Sequence, residues 1–402
     1  MTRVVMVLTW RIFGGRLLLV LASAVVGVVV AEVGLRVWTG LTLRSGPGLE
    51  DGLERSAATS PNPDADTTSL RGLVRASSSP DLVYELKPGL DCRFKGTRVR
   101  TNSHGMRGRE LSVAKADDVF RIAGLGDSVM FGWGVAEEDT YLRVLGQRLG
   151  SAVAGDRQVE ILNFAVPGYN TAMEVVAFRD KVRDFSPDLV VIHFVHNDLG
   201  LPQFMIEAPN PWSLRELWLV DLIRNGWRGL QRRGWQWHQS RELEGLSGED
   251  RRRVQDAYAH LAGPEAFRTA LASLAQLAEA DSIPVVFVLL QTDGEPYAEA
   301  SATADRYGFL KVVAGPFFTD YIRDHDIEPT RDGWADTFWL SRKDQHPNEL
   351  GHRLFADAIF ETVGPSIAVD ATGTDPDNPT PRERGAPRPS TADAPAVSGA
   401  PR

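Results

Sequence analysis

The sequence predicts a three-layer α/β/α sandwich built on a parallel sheet, and three observations carry that expectation. Short β-branched runs alternate with helical stretches from about Leu82 to Val363. Two of the runs, Leu189 to Val195 and Pro284 to Leu290, are apolar almost throughout, which is how a strand reads when both faces of its sheet are covered. The chain has 402 residues and a single cysteine, so it is long enough to bury a large core with no disulfide or metal staple.

Taken in order, the elements begin with a biased N-terminus. Arg3, Arg11 and Arg16 precede an uncharged, mostly apolar run from Leu17 to Ala31, followed by Glu32 and Arg36. Residues 1–38 therefore read as a membrane anchor, with apolar residues continuing through Val33, Leu35, Val37 and Trp38. Positive charge on the leading side keeps that end in the cytoplasm and exports the rest of the chain. The competing reading is a cleavable signal peptide cut at Glu32, since Val29 and Ala31 suit the small-residue positions before the cut. Residues 39–80, rich in Ser, Gly, Asp and Pro, read as a linker, and residues 367–402 read as a disordered tail. Between them, 81–366 forms the expected domain, with strands at Phe120–Leu125, Val159–Phe164, Leu189–Val195 and Pro284–Leu290. Helices are expected at Tyr141–Leu149 and Ala172–Asp184.

Composition excludes some classes. A net charge of -9 argues against a general nucleic-acid binder, and Cys92, having no partner, reads as a buried or inert thiol rather than a zinc or redox site.

In a parallel sheet the chemistry gathers at the carboxyl ends of the strands. After the first strand comes Gly124-Leu125-Gly126-Asp127-Ser128-Val129-Met130. A dinucleotide fingerprint needs glycine where Val129 stands, a phosphate loop needs Gly-Lys-Ser/Thr, and the G-x-S-x-G elbow needs glycine where Met130 stands. What remains is a serine on a tight strand-to-helix turn, placed either as a simple N-cap or as a nucleophile beside backbone N–H donors. After the second and third strands come Gly168 and Asn197, each open to a turn or cap reading and each suited to approach an oxyanion. Near the end of the domain stands Asp344-Gln345-His346, a carboxylate and an imidazole on one loop, which is what a serine hydroxyl needs to become a nucleophile. A metal reading through His346 and His352 lacks a recognisable third ligand.

These segments, Gly126-Asp127-Ser128, Gly168, Asn197 and Asp344 to His346, resemble in order the four blocks of the SGNH (GDSL-type) hydrolases. Arg100-Thr101-Asn102-Ser103-His104-Gly105-Met106-Arg107 resembles a stretch of bacterial membrane-anchored members. The resemblance implies a serine esterase in which Ser128 attacks, His346 is the base and Asp344 orients it. The backbone N–H groups of Ser128 and Gly168 and the amide of Asn197 would hold the oxyanion, and no metal or organic cofactor is implied. Two positions depart from the pattern. Val195 stands where a glycine is usual two residues before the asparagine, and Lys343 takes the place where the acid often lies.

An exported location points to an acylated glycan or lipid as ester substrate, with short acyl groups such as acetyl on an envelope or extracellular glycan as the leading expectation. Acyl transfer onto a polysaccharide and a catalytically silent glycan-binding protein are the alternatives. The segment 199–240 reads as an insertion, with Trp212, Trp218, Trp227, Trp235 and Trp237 among Arg215, Arg224, Arg228, Arg232 and Arg233. Its tryptophans either pack it onto the domain or line a glycan or lipid surface near the strand ends.

Overall fold

The computed structural model describes residues 2–42, 68–152, 158–207, 236–240 and 248–372, with a few more between 219 and 245. Helix α1, Thr2–Thr42, contains the stretch Leu19–Trp38, with a mean hydropathy of 2.1. That stretch is long and apolar enough to cross a membrane, a property that an anchor and a signal sequence share. Its apolar side chains, Leu19 and Val25 among them, face outward, while Glu32 and Arg36 are buried as an i,i+4 ion pair.

The stretch from 68 to 80, assigned by composition to the linker, is ordered instead. A helical turn at Leu70–Leu73 is capped by Ser69, and strand β1, Val74–Ala76, pairs antiparallel with β2, Tyr84–Leu86. Leu73 and Val74 lie in the core, and two apolar residues are too few to register as a period in a Ser- and Asp-rich background. A second hairpin pairs β3, Asp91–Phe94, with β4, Thr97–Arg100. Cys92 sits half-buried on β3, where burial pushes its thiol pKa up.

The main sheet has five parallel strands. They are β5 (Val119–Leu125), β6 (Gln158–Asn163), β7 (Leu189–His193), β10 (Val285–Leu289) and β11 (Leu310–Val313), in the order β11-β10-β7-β5-β6. Every residue of β7 and β10 is buried, as their almost wholly apolar sequences require. Helix α2, Ser128–Phe131, is a single turn after β5, and α3, Tyr141–Ala152, leads to β6. Helix α4, Thr171–Asp180, joins β6 to β7 and is buried on nearly every side. The hairpin β8 (Phe204–Glu207) with β9 (Gln236–Gln239) and helix α5, Gly248–Tyr258, intervene before α6, Gly263–Asp281. That helix buries the stripe Phe267, Ala270, Leu271, Leu274 and Ala278. Helices α7 (Tyr297–Arg306), α8 (Gly315–Asp324) and α9 (Arg331–Phe338) come next. Then comes a short hairpin of β12, Trp339–Ser341, with β13, Asp344–Pro347, and finally α10, Glu349–Thr372.

The chain winds outward from β5 to β6, then back across to β7 and onward to β11. Right-handed crossovers therefore put α3 on one face and α4 and α6 on the other. Helix α10 packs on α3, and α6 packs on α4. The reversal lies between β5 and β7, so a crevice opens at their carboxyl ends.

Within the segment 199–240, Trp212, Trp218, Trp227, Trp235, Arg215, Arg224, Arg228, Arg232 and Arg233 lie outside the described residues. Trp237 pairs with Ile206 in the β8–β9 hairpin. One contact ties the segment to α1: the Leu219 N–H donates to Glu32 Oε2 at 2.7 Å. Of the expected tail, residues 367–372 continue α10, and 373–402 lie outside the described residues.

Candidate active site

The residues around Ser128 are set by the turn that ends β5. Asp127 caps α2, its Oδ1 accepting from the Val129 N–H at 2.8 Å, and this fixes Ser128 as the first residue of the helical turn. Gly126 allows the tightness: a Cβ there would stand 2.6 Å from Met130 Cβ. At the far end of α2 the buried Arg107 guanidinium donates to the carbonyls of Phe131, Gly132 and Val135, each at 2.6 Å. Burial lowers its pKa to about 10, and the three carbonyls that close the turn accept from its two terminal nitrogens. The motif ahead of the first strand thus serves the serine turn directly.

Gly168 has φ +81°, and a side chain there would strike Gln203, whose Cβ is 2.1 Å from the ideal position. The next turn is held by the buried Asn170. Its Oδ1 caps α4 through the Met173 N–H, and its Nδ2 donates to the carbonyls of Gly200 and Leu261. Asn197 comes after β7 and donates from Nδ2 to Asp127 Oδ2 at 3.4 Å, so the third block lies beside the first. Val195, at the usual glycine position, is buried, and its N–H donates to Asp198 Oδ2.

The imidazole arrives from the other end of the chain on β13, a strand and not a loop. Side chains two apart on a strand share a face, so Asp344 and His346 stand side by side despite the shortened spacing. Asp344 Oδ1 lies 2.5 Å from His346 Nδ1, and His346 Nε2 lies 2.9 Å from Ser128 Oγ. Burial alone would raise the Asp344 carboxyl, but the hydrogen bond and charge of His346, with the Trp133 N–H, bring it below its usual value. Trp133 donates from Nε1 to Asp344 Oδ2 at 3.2 Å and stacks on the His346 ring, centroids 4.6 Å apart at 11°.

Ser128, Gly168, Asn197, Asp344 and His346 line one cleft of about 960 Å³. Sequence reasoning missed Asp127 as the link between Ser128, Val129 and Asn197, and missed Trp133 altogether. The Gly-Asp-Ser string carried a signal for the former; nothing in one sequence marks the latter. His352, the other histidine of the metal reading, goes elsewhere. It is fully buried, its Nδ1 accepts from the Tyr141 N–H, and burial draws its pKa to about 3.

The family model of the GDSL-like lipase/acylhydrolases matches residues 125–354, more than half of the chain. The chain belongs to that family and is an ester-hydrolysing enzyme. Among solved structures it is similar to TesA, at 16% identity and TM-score 0.36 over 61% of this chain and 98% of that one. A catalytic mutant of an acetylxylan esterase from Geobacillus stearothermophilus is similar at 13% identity and TM-score 0.37, over 61% and 94%. An alpha/beta hydrolase enzyme from the metagenome of Lake Arreo, Spain, is similar at 16% identity and TM-score 0.38, over 63% and 97%. No curated protein matches the chain.

Proposed function

We propose that the chain is a serine esterase that works through an acyl-enzyme, with Ser128 as nucleophile, His346 as base and acid, and Asp344 orienting the imidazole. The observation that supports this most is the unbroken contact from Asp344 Oδ1 through His346 to Ser128 Oγ, 2.5 and 2.9 Å, opening on a cleft. Ser128 Oγ attacks the ester carbonyl as His346 Nε2 takes its proton. The tetrahedral oxyanion is held by the N–H groups of Ser128 and Gly168 and by Asn197 Nδ2. The intermediate collapses, His346 protonates the leaving alkoxide, and a water activated by the same imidazole releases the acid.

The substrate we propose is a short acyl ester, such as acetyl, on an envelope or extracellular glycan. The protein would be single-pass in the cytoplasmic membrane with its catalytic domain outside, because Arg3, Arg11 and Arg16 flank the leading side of the apolar stretch. A fluorophosphonate probe on the full chain in detergent tests the nucleophile: wild type should label and Ser128→Ala should not. Absence of labelling in folded wild type would leave a binding protein in place of an enzyme of this mechanism.

A further inference from the structure

The chain carries net charge -9 and only six lysines. Lys115, Lys181 and Lys311 are each bonded to a carboxylate, of Asp188, Glu85 and Asp305 respectively. Lys95 and Lys343 have no carboxylate partner among the described residues, and both line the active-site cleft. Both also stand on its imidazole side. Lys95 occupies the β3–β4 turn, where it and Gly96 both take positive φ, and its Nζ lies 5.1 Å from the centre of the Trp133 ring that stacks on His346. Lys343 immediately precedes Asp344 in the turn of the β12–β13 hairpin. The carboxylates lining the same cleft are already engaged: Asp127 with Val129, Ser128 and Asn197, and Asp344 with His346 and Trp133.

In acyl transfer by serine and histidine, the alcohol leaves on the side of the imidazole that protonates it. Two such ammonium groups there face the alcohol half of the ester and not its acyl half. Resting on the esterase reading above, we infer that the natural substrate is anionic in its alcohol half: an acylated polymer whose repeating unit carries a carboxylate or phosphate. Lys95 and Lys343 are then specificity residues that draw the charged alcohol into place, acting on binding and not on the chemical step.

The test compares p-nitrophenyl acetate, its ring-sulfonated analogue and mono-p-nitrophenyl succinate, charged on neither half, the alcohol half and the acyl half. Each is assayed with the full chain in detergent. Lys95→Gln combined with Lys343→Gln should lower kcat/KM for the sulfonated ester about tenfold, mainly through KM, and leave the other two esters within about twofold. Raising salt to about 0.5 M should reproduce that loss in wild type. Equal losses on all three esters, or none, would overturn the inference while leaving the esterase reading intact. Acetylated polygalacturonate and acetylated poly(glycerol phosphate), set against acetylated xylan, separate carboxylate from phosphate as the recognised group. Cleavage of none of the esters would instead defeat the esterase reading. In that event, binding of polygalacturonate and of poly(glycerol phosphate) to wild type and to the double variant still decides the charge preference, since equal binding of both polymers to the two proteins would sink it.

Discussion

The two halves of the proposed active site are built in different ways. Ser128 and Asn197 stand at the ends of adjacent strands whose last residues are buried, so their positions follow from the packing of the whole sheet. Asp344 and His346 stand on a two-stranded hairpin apart from that sheet. That hairpin is held by fewer ties: the Asn348 amide donating to the carbonyls of Thr337 and Trp339, and the Trp133 ring bridging back to the serine turn. A proposed nucleophile fixed by a core and a proposed base fixed by a handful of contacts should answer differently to mutation.

The largest expected effect does not distinguish the halves. Ser128→Ala and His346→Ala should each lower kcat by about 10⁶, measured on a chromogenic acetate, because one removes the covalent route and the other its base. Asp344→Ala begins to separate them. With no carboxylate on Nδ1 the imidazole loses its tautomer and its seat, and kcat should fall by about 10⁴. Retention of near-wild activity would show that Trp133 and the hairpin alone orient the ring.

Asn197→Ala probes the sheet-borne half and should cost about 10²–10³ in kcat with KM little changed, since an oxyanion donor acts mainly in the transition state. A loss carried by KM instead would reassign Asn197 to substrate binding. Smaller again is the effect of the tryptophan. Trp133→Ala removes both the stack and the donor to Asp344 and should lower kcat about tenfold, whereas Trp133→Phe keeps a ring over His346 and should recover most of it. Equal losses in the two variants would mean that the indole N–H, not the stack, steadies the hairpin.

The smallest effect concerns stability beneath the serine side. Both Glu174 carboxylate oxygens are buried without a partner among the described residues, close to Asp198. Burial, then the charges of Asp198 and Asp127, push the Glu174 carboxyl well above its usual value. A carboxyl raised in the folded state favours folding while protonated, and that contribution is lost as pH climbs from the ordinary glutamate range toward the folded value. Glu174→Gln should therefore melt about 2–4 °C above wild type near pH 8 and lose that margin near pH 4. A margin that does not change with pH would mean that the Glu174 carboxyl has the same pKa in the folded and unfolded chains.

The sequence alone determined four of the five strands of the sheet and the residues that follow them. Strands β7 and β10 are apolar runs, broken only by His193 at the end of β7, because both their faces are covered, and that pattern is local and legible. The fifth strand, β11, escaped because it is a four-residue edge strand with Leu310 exposed, so it leaves no run to read. The 3.6-residue pattern likewise ran past α4, which stops at Asp180 before a short 3-10 turn at Val182–Phe185. Only the tertiary structure decided that Leu73 and Val74 belong to the core and that Arg107 closes the serine turn. It alone brought Trp133 over an imidazole 213 residues further along the chain. The physical reason is the same in each case. A period in the sequence records which face of one element is buried, whereas a hydrogen bond or stack between distant elements depends on where both elements finally pack, and no single segment carries that information.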